Sequence, residues 1–227
     1  MADENRGTAR DLAGRYVAGG DPLGWFETLY ATASGDASII PWADLQPNPN
    51  LTIWLQRHGI VGTGRSALKV GCGLGDDAEE LSRLGFDTTA FDISPTAISW
   101  CHRRFPGSDV RYLEADLLDP PGEWTRGFDL VVESYTLQVL PPGLRAEAMR
   151  SAAGFVAQGG TLLVIARGRE PSEPEGAMPW PLTRHELRVF EESGLSITEF
   201  EDYTDDEDPP VRRFRATYVL EPGRGTA

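Results

Sequence analysis

The stretch Ala67-Leu68-Lys69-Val70-Gly71-Cys72-Gly73-Leu74-Gly75-Asp76-Asp77 decides the fold. An apolar run ends in glycines spaced G-x-G-x-G, and a polar, helix-compatible segment follows. This order predicts a buried strand, a turn of bare backbone and a helix start. A second apolar run, Thr88-Thr89-Ala90-Phe91, closes on Asp92, about twenty residues beyond the turn. An acid at that distance, at the end of a second strand, suits the hydroxyls of a ribose. A dinucleotide fingerprint wants a third glycine at position 76, where this chain has Asp76 and then Asp77. Two carboxylates suit the positive end of a helix dipole but oppose a pyrophosphate seated on it. A phosphate-free, positively charged ligand tolerates them.

Two more runs extend the pattern. Val110-Arg111-Tyr112-Leu113 leads into Glu114-Ala115-Asp116-Leu117, and Phe128-Asp129-Leu130-Val131-Val132 leads into Glu133-Ser134-Tyr135. Four successive strand ends thus carry glycine or polar residues, and open α/β sheets bind ligands outside those carboxyl ends.

Over roughly residues 20 to 220 the chain resembles a class I S-adenosylmethionine-dependent methyltransferase, in the style of the thiopurine and thiol S-methyltransferase group. The matching pieces are Val70 to Asp77, Phe91-Asp92-Ile93-Ser94-Pro95-Thr96-Ala97, Glu114 to Leu117, Asp129 to Glu133 and Gly159-Gly160-Thr161-Leu162-Leu163-Val164. The resemblance implies an α/β fold: a doubly wound, mostly parallel, seven-stranded Rossmann-like sheet with an antiparallel C-terminal strand. It also implies S-adenosyl-L-methionine as cofactor, S-adenosyl-L-homocysteine as product, and a small-molecule methyl acceptor, with a thiol favoured over a hydroxyl or amine. One position departs from the class. Lys69 stands where many class I enzymes have an acid for the methionine ammonium, a trait the thiopurine-like group shares in lacking that acid. The ammonium role then moves to Asp77 or Asp76, against a plain alternative in which Asp76 and Glu79 form a capping box.

The resemblance distributes roles residue by residue. Gly71, Cys72, Gly73 and Gly75 supply backbone contacts to the cofactor, Asp92 holds the ribose, and Ile93 packs on the adenine. Ala115, Asp116 and Leu117 match the element that reads the adenine amino group, with a surface turn as the plain alternative for Asp116. Glu133 is expected at the floor under the methionine portion, or else as a helix cap or a solvated loop acid. Aromatic residues before the core are expected to form a lid, with Trp25 and Trp42 on the cofactor and Tyr30 toward the acceptor; packing on the sheet is the alternative for each. Tyr135 and Arg167, after the fourth and fifth strands, face the acceptor side on topology. No catalytic residue is assigned, because in-line methyl transfer depends first on alignment, and a base is needed only for a protonated acceptor.

Composition narrows the field. At 227 residues with 40% apolar side chains the chain can bury a sizeable core. A formal net charge of −14 argues against gripping nucleic acid, where basic clusters supply most affinity. No apolar run is long enough for a membrane span. Met1-Ala2-Asp3-Glu4-Asn5 lacks the features of a secretory signal, and the only two cysteines, Cys72 and Cys101, do not suggest a disulfide. A cytoplasmic monomer or homodimer is expected. His58, His102 and His185 show no metal-ligand spacing, so no metal is expected.

Three segments follow: a flexible arm or short helix over 1–20, an aromatic-rich cap over 21–60, and a methyltransferase core over 61–222. Within the core, Ser94-Pro95 opens a helix whose apolar face is Ala97, Cys101 and Phe105. Leu144, Ala148, Ala152, Phe155 and Val156 form another stripe, expected to end at Gly159-Gly160. Thr183-Arg184-His185-Glu186 reads as a capping box for a helix ended by Gly194. Two last strands, near 195–203 and 211–220, flank the acidic turn 205–210 as an antiparallel pair. That hairpin and Asp76 weigh against a competing NAD(P)-dependent reductase; a non-catalytic S-adenosylmethionine-binding protein is the third possibility.

Overall fold

The computed structural model describes residues 2–207 and 209–223; Met1, Asp208 of the acidic turn and residues 224–227 lie outside the described residues. Seven strands form a single sheet: β1 (Ser66–Val70), β2 (Asp87–Asp92), β3 (Arg111–Glu114), β4 (Phe128–Ser134), β5 (Val156–Arg167), β6 (Ser196–Thr204) and β7 (Arg212–Val219). Their order is β3-β2-β1-β4-β5-β7-β6. The first five pair in parallel, and β7 lies antiparallel between β5 and β6. The doubly wound sheet and its terminal hairpin match the expectation.

Side-chain alternation explains why both faces are covered. Leu68, Val70, Val131, Leu162 and Val164 point into one apolar cluster, which α6 (Pro142–Phe155) and α7 (Val189–Glu192) complete through Ala148, Met149, Ala152 and Phe190. Their neighbours Ala67, Leu130, Val132, Leu163 and Ile165 point the other way, into a cluster with Leu51, Trp54 and Leu55 of α3 (Pro49–Arg57) and Leu81 of α4 (Asp76–Arg83). Each fully buried Leu or Val in these layers contributes roughly 1.5–3 kcal/mol. Successive residues facing opposite cores leave the strands apolar throughout.

Local signals behave as their chemistry dictates, with corrections. Ser94 caps α5 (Pro95–Arg104), its Oγ accepting the Ala97 N–H at 3.0 Å. Thr183 and Glu186 exchange the two hydrogen bonds of a capping box, at 3.2 and 2.7 Å, but open only a 3₁₀ turn and the single turn of α7. The capping box that is the alternative role for Asp76 does not form. Gly75, with φ 94°, takes the N-cap position; Asp76 is drawn to Arg104, and Glu79 accepts the Tyr112 hydroxyl at 2.6 Å. Helix α6 stops at Phe155 rather than at Gly159-Gly160, and those glycines lie inside β5. There a Cβ on Gly160 would strike the Phe128 carbonyl beside a break in the β4–β5 register.

Between the two alternatives for the first twenty residues, the structure has a helix, α1 (Ala2–Ala18). It is packed rather than loose: Ala9 and Ala13 are buried against α2 (Gly24–Ala33), in a cluster with Trp25, Leu29 and Trp100. Glu27 of α2 ties this cap to the core. Its carboxylate accepts the hydroxyls of Ser94 and Thr96, each at 2.6 Å, at the start of α5. No helix among the described residues is long and apolar enough to cross a membrane.

Candidate functional site

A cavity of about 900 Å³ opens above the carboxyl ends of β1, β2, β4 and β5, under the α1–α2 cap and the loop that follows it. This lies at the upper end of the range for small-molecule sites.

Its floor is the glycine turn. Gly71 and Gly73 have φ of 56° and 54°, conformations that L side chains adopt at a cost. A Cβ on Gly71 would run into the Thr136 side chain, and one on Gly73 would come within 3.3 Å of the Tyr30 hydroxyl. The turn is held from beside by Asp92. Its carboxylate, nearly buried, accepts the Gly73 N–H at 2.9 Å and the Ser94 N–H at 3.0 Å. Burial pushes the Asp92 carboxyl up, while those two backbone donors and Lys69 oppose the shift.

The cap closes on this floor through aromatic rings. The Trp42 indole N–H donates to the Tyr30 hydroxyl at 2.8 Å, directly over Gly73. Both residues line the cavity, as do Ile93, Ala115, Asp116 and Leu117 on the β2–β3 side. Asp116 also accepts the Leu118 N–H at 2.8 Å, so part of it serves its own turn.

Asp76 and Asp77 line the cavity, but each already has protein partners. Arg104 forks onto Asp76 at 2.7 and 2.8 Å. Asp77 accepts the Asn48 N–H and the Ser134 hydroxyl, both at 2.8 Å, and lies 3.8 Å from the Lys69 ammonium. Lys69 in turn donates to the Val70 and Gly71 carbonyls. The two acids therefore repel an anion less than their bare sequence suggests.

Three expected contacts fall outside the cavity wall. Gly75 turns its back on it, with a Cβ direction toward Tyr112 and Cys101. Trp25 is fully buried behind Trp42, stacked on Phe26 at 4.0 Å. Glu133 takes its cap alternative: one oxygen accepts the Thr136 and Leu137 N–H groups at 2.7 and 3.0 Å, and the other has no partner among the described residues. Cys72 does reach the wall, but a hydrogen bond with Cys101 and burial raise its thiol well above the ordinary range. Such a thiol is inert as a nucleophile.

The far end of the cavity is polar. Tyr135, with φ 67°, accepts from the Asn50 amide at 2.9 Å, and the Tyr203 hydroxyl donates to Asn50 at 2.6 Å. The Arg213 guanidinium lies 4.5 Å over the Tyr135 ring. Arg167 lines the same end. The sequence reading missed Asn50, Tyr203, Arg213 and Asp44. Asn50 was visible in part, since Asn48-Pro49 is a cap followed by proline at the first helical position. Arg213 had a signal as well: Arg213-Phe214-Arg215-Ala216 alternates along a buried strand. Asp44, which lines the cavity after Trp42, has no hydrogen-bond or ion-pair partner among the described residues. Burial and the nearby Glu207 push its carboxyl up, against the pull of Arg6.

The seven-stranded sheet with its terminal hairpin is the Rossmann-like fold seen in solved methyltransferase structures. Residues 67–160 match the family described as methyltransferase domain. The chain is 31% identical over 111 residues to a ubiquinone biosynthesis O-methyltransferase of Xanthomonas campestris, covering 48% of this chain and 46% of that protein. It thus spans about half the length of the curated relatives it matches. Among solved structures, the 1,6-didemethyltoxoflavin-N1-methyltransferase of Burkholderia thailandensis, with its substrate and S-adenosylhomocysteine bound, superposes with a TM-score of 0.69. Identity is 14%, over 92% of this chain and 90% of that one. The magnesium protoporphyrin IX methyltransferase of Synechocystis PCC 6803 gives 0.67 at 14% identity, over 86% and 98%. The thiopurine flavour has no counterpart among these three.

Proposed function

We propose that this chain is an S-adenosylmethionine-dependent methyltransferase acting on a small molecule. One observation carries the reading: Asp92, nearly buried, grips the left-handed Gly73 turn at the floor of a cavity large enough for donor and acceptor together. The cradle suits the cofactor on its own terms. Gly71 and Gly73 expose backbone where a Cβ would collide, Asp92 keeps carboxylate lone pairs for ribose hydroxyls, and Ile93 with Ala115 to Leu117 forms an adenine slot.

When bound, S-adenosylmethionine supplies a methyl group activated by a sulfonium. The protein's task is then orientation and exclusion of water, and orientation alone is worth roughly 7–11 kcal/mol in favourable cases. Trp42 and Tyr30 close the floor, and residues 21–60 act as the cap over the core at 61–222. Aromatic faces beside a cation add about 0.5–2 kcal/mol. Asp44 is the available carboxylate on the cap loop, placed to receive a proton from a hydroxyl acceptor or to balance the donor's charge.

Oxygen is favoured as the accepting atom, since the curated relatives carry O-methyltransferase names, ahead of the thiol that the resemblance favoured. The setting proposed is cytoplasmic, as a monomer or homodimer without nucleic acid. Incubation with methyl-labelled S-adenosylmethionine and a panel of phenols, thiols and amines tests the assignment. Label is expected in a phenol. Transfer only to a thiol restores the earlier preference; failure to bind S-adenosylmethionine or S-adenosylhomocysteine by calorimetry ends the cofactor assignment.

A further inference from the structure

Three arginines stand in a row on one face of the sheet at the acceptor end. In the antiparallel β5–β7 ladder Arg167 lies directly opposite Arg213, and Ile165 opposite Arg215. Opposed residues share a face, so Arg167, Arg213 and Arg215 all point to the side covered by α3. Like charges directly opposite each other destabilise a sheet unless something offsets them. Arg215 has its offset: Glu201 at 2.5 Å and the Asn50 carbonyl at 3.0 Å. Arg213 has most of one, pairing with Asp205 and Glu207, but its Nη1 is buried without an acceptor.

Arg167 has none. Its guanidinium makes no hydrogen bond or ion pair among the described residues, and its Nε is buried without a partner. Burial and the adjacent Arg213 hold the group below the usual arginine range, against the pull of Glu207. Leaving charged N–H groups buried and unpaired costs stability that a chain does not ordinarily forgo. Both orphaned atoms are donors buried from the cavity, on residues that otherwise line it. What they lack is an anionic oxygen.

We propose that the methyl acceptor carries a carboxylate, and that the Arg167 guanidinium, beside Arg213, is the site that binds it. A planar carboxylate matches the forked donors of a guanidinium, which a neutral amide or alcohol satisfies far less well. The donor's own carboxylate fits this place poorly. The glycine turn follows β1, while Arg167 ends β5, two strand positions away or roughly 10 Å across the sheet, with β7 one further. Asp205 and Glu207, which line the cavity too, already pair with Arg213, which leaves Arg167 as the residue that discriminates.

The inference rests on the cofactor reading above, and the test separates the two. Protein loaded with S-adenosylhomocysteine is titrated with benzoate, phenylacetate, 3,4-dihydroxybenzoate and hexanoate, each against its own primary amide. At least one carboxylate is expected to bind tenfold or more tightly than its amide. That preference should fall below about twofold in Arg167→Met and return in part in Arg167→Lys, with S-adenosylhomocysteine affinity unchanged in both. Normal S-adenosylhomocysteine binding with no preference for any carboxylate overturns the carboxylate site alone, as does a preference that survives in Arg167→Met. If Arg167→Met instead weakens S-adenosylhomocysteine, the arginine holds the donor's carboxylate and the proposal fails. If wild-type protein does not bind S-adenosylhomocysteine, the cofactor reading falls and this one with it.

Discussion

The Asp92 carboxylate accepts the Gly73 backbone N–H at 2.9 Å, so the residue expected to hold a ribose also shapes the turn beneath it. Asp92→Ala removes both functions. S-adenosylmethionine affinity is expected to fall by about 1–3 kcal/mol, roughly 5- to 150-fold, as charge-assisted hydrogen bonds are lost. Asp92→Asn keeps an acceptor for the turn but not the charge, and should lie between wild type and alanine. Calorimetric titration reads the difference; an unchanged dissociation constant in Asp92→Ala would place the ribose elsewhere.

Gly71 offers a purely steric test. Its φ of 56° disfavours any side chain, and a Cβ there meets Thr136. Gly71→Ala should destabilise the fold by about 1–3 kcal/mol. Gly143 lies in α6 with open space around its Cβ direction, and Gly143→Ala should not destabilise the fold. Urea denaturation of the two variants compares a strained glycine with an unstrained one.

The sequence carried those parts of the site whose signal is local. Gly71, Gly73 and Asp92 lie within one strand-turn-helix-strand unit, so spacing alone fixed their relation. The terminal hairpin was legible for the same reason. The acceptor end was not, because it is assembled by contacts between distant segments. Asn50 of α3 meets Tyr135 after β4 and Tyr203 of β6, and Arg167 meets Arg213 only through the β5–β7 ladder. Pairing and burial also changed the meaning of residues that the sequence singled out. Asp76 reads as an exposed repulsive acid until Arg104, from the next helix, is seen to neutralise it. Trp25 reads as lid because it is aromatic and early, yet its helix turns it inward, where the large ring is fully buried and stacked on Phe26.

Asp44 should distinguish donor from product. S-adenosylmethionine carries a sulfonium charge that S-adenosylhomocysteine lacks, and Asp44 is a carboxylate on the cavity wall with no hydrogen-bond or ion-pair partner among the described residues. Asp44→Asn should weaken S-adenosylmethionine by roughly 1 kcal/mol more than S-adenosylhomocysteine, the scale of a charge pair several ångströms apart in a partly solvated cleft. Paired titrations of both ligands, in both proteins, give that difference. Equal losses would mean that Asp44 senses a group common to the two, and no loss would leave it free to serve as base.

Glu133 should make stability depend on pH in an unusual direction. Burial pushes its carboxyl up to about 7, against the Leu137 and Thr136 N–H groups and Lys69, from an ordinary value of 4.5. Between those values the folded chain holds a proton that the unfolded chain has released. The contribution of this group is therefore complete below about pH 4.5 and is lost as pH rises through 7, the opposite of a salt-bridged carboxylate. A difference of that size corresponds to roughly 3 kcal/mol. Glu133→Gln keeps the oxygen that accepts the Thr136 and Leu137 N–H groups and removes the titration. Urea unfolding at pH 5 and pH 8 should show the wild type losing more stability across that interval than the glutamine variant. Identical losses would mean that Lys69 already compensates the Glu133 carboxylate in the fold, and that the unpartnered oxygen bears a charge at neutral pH.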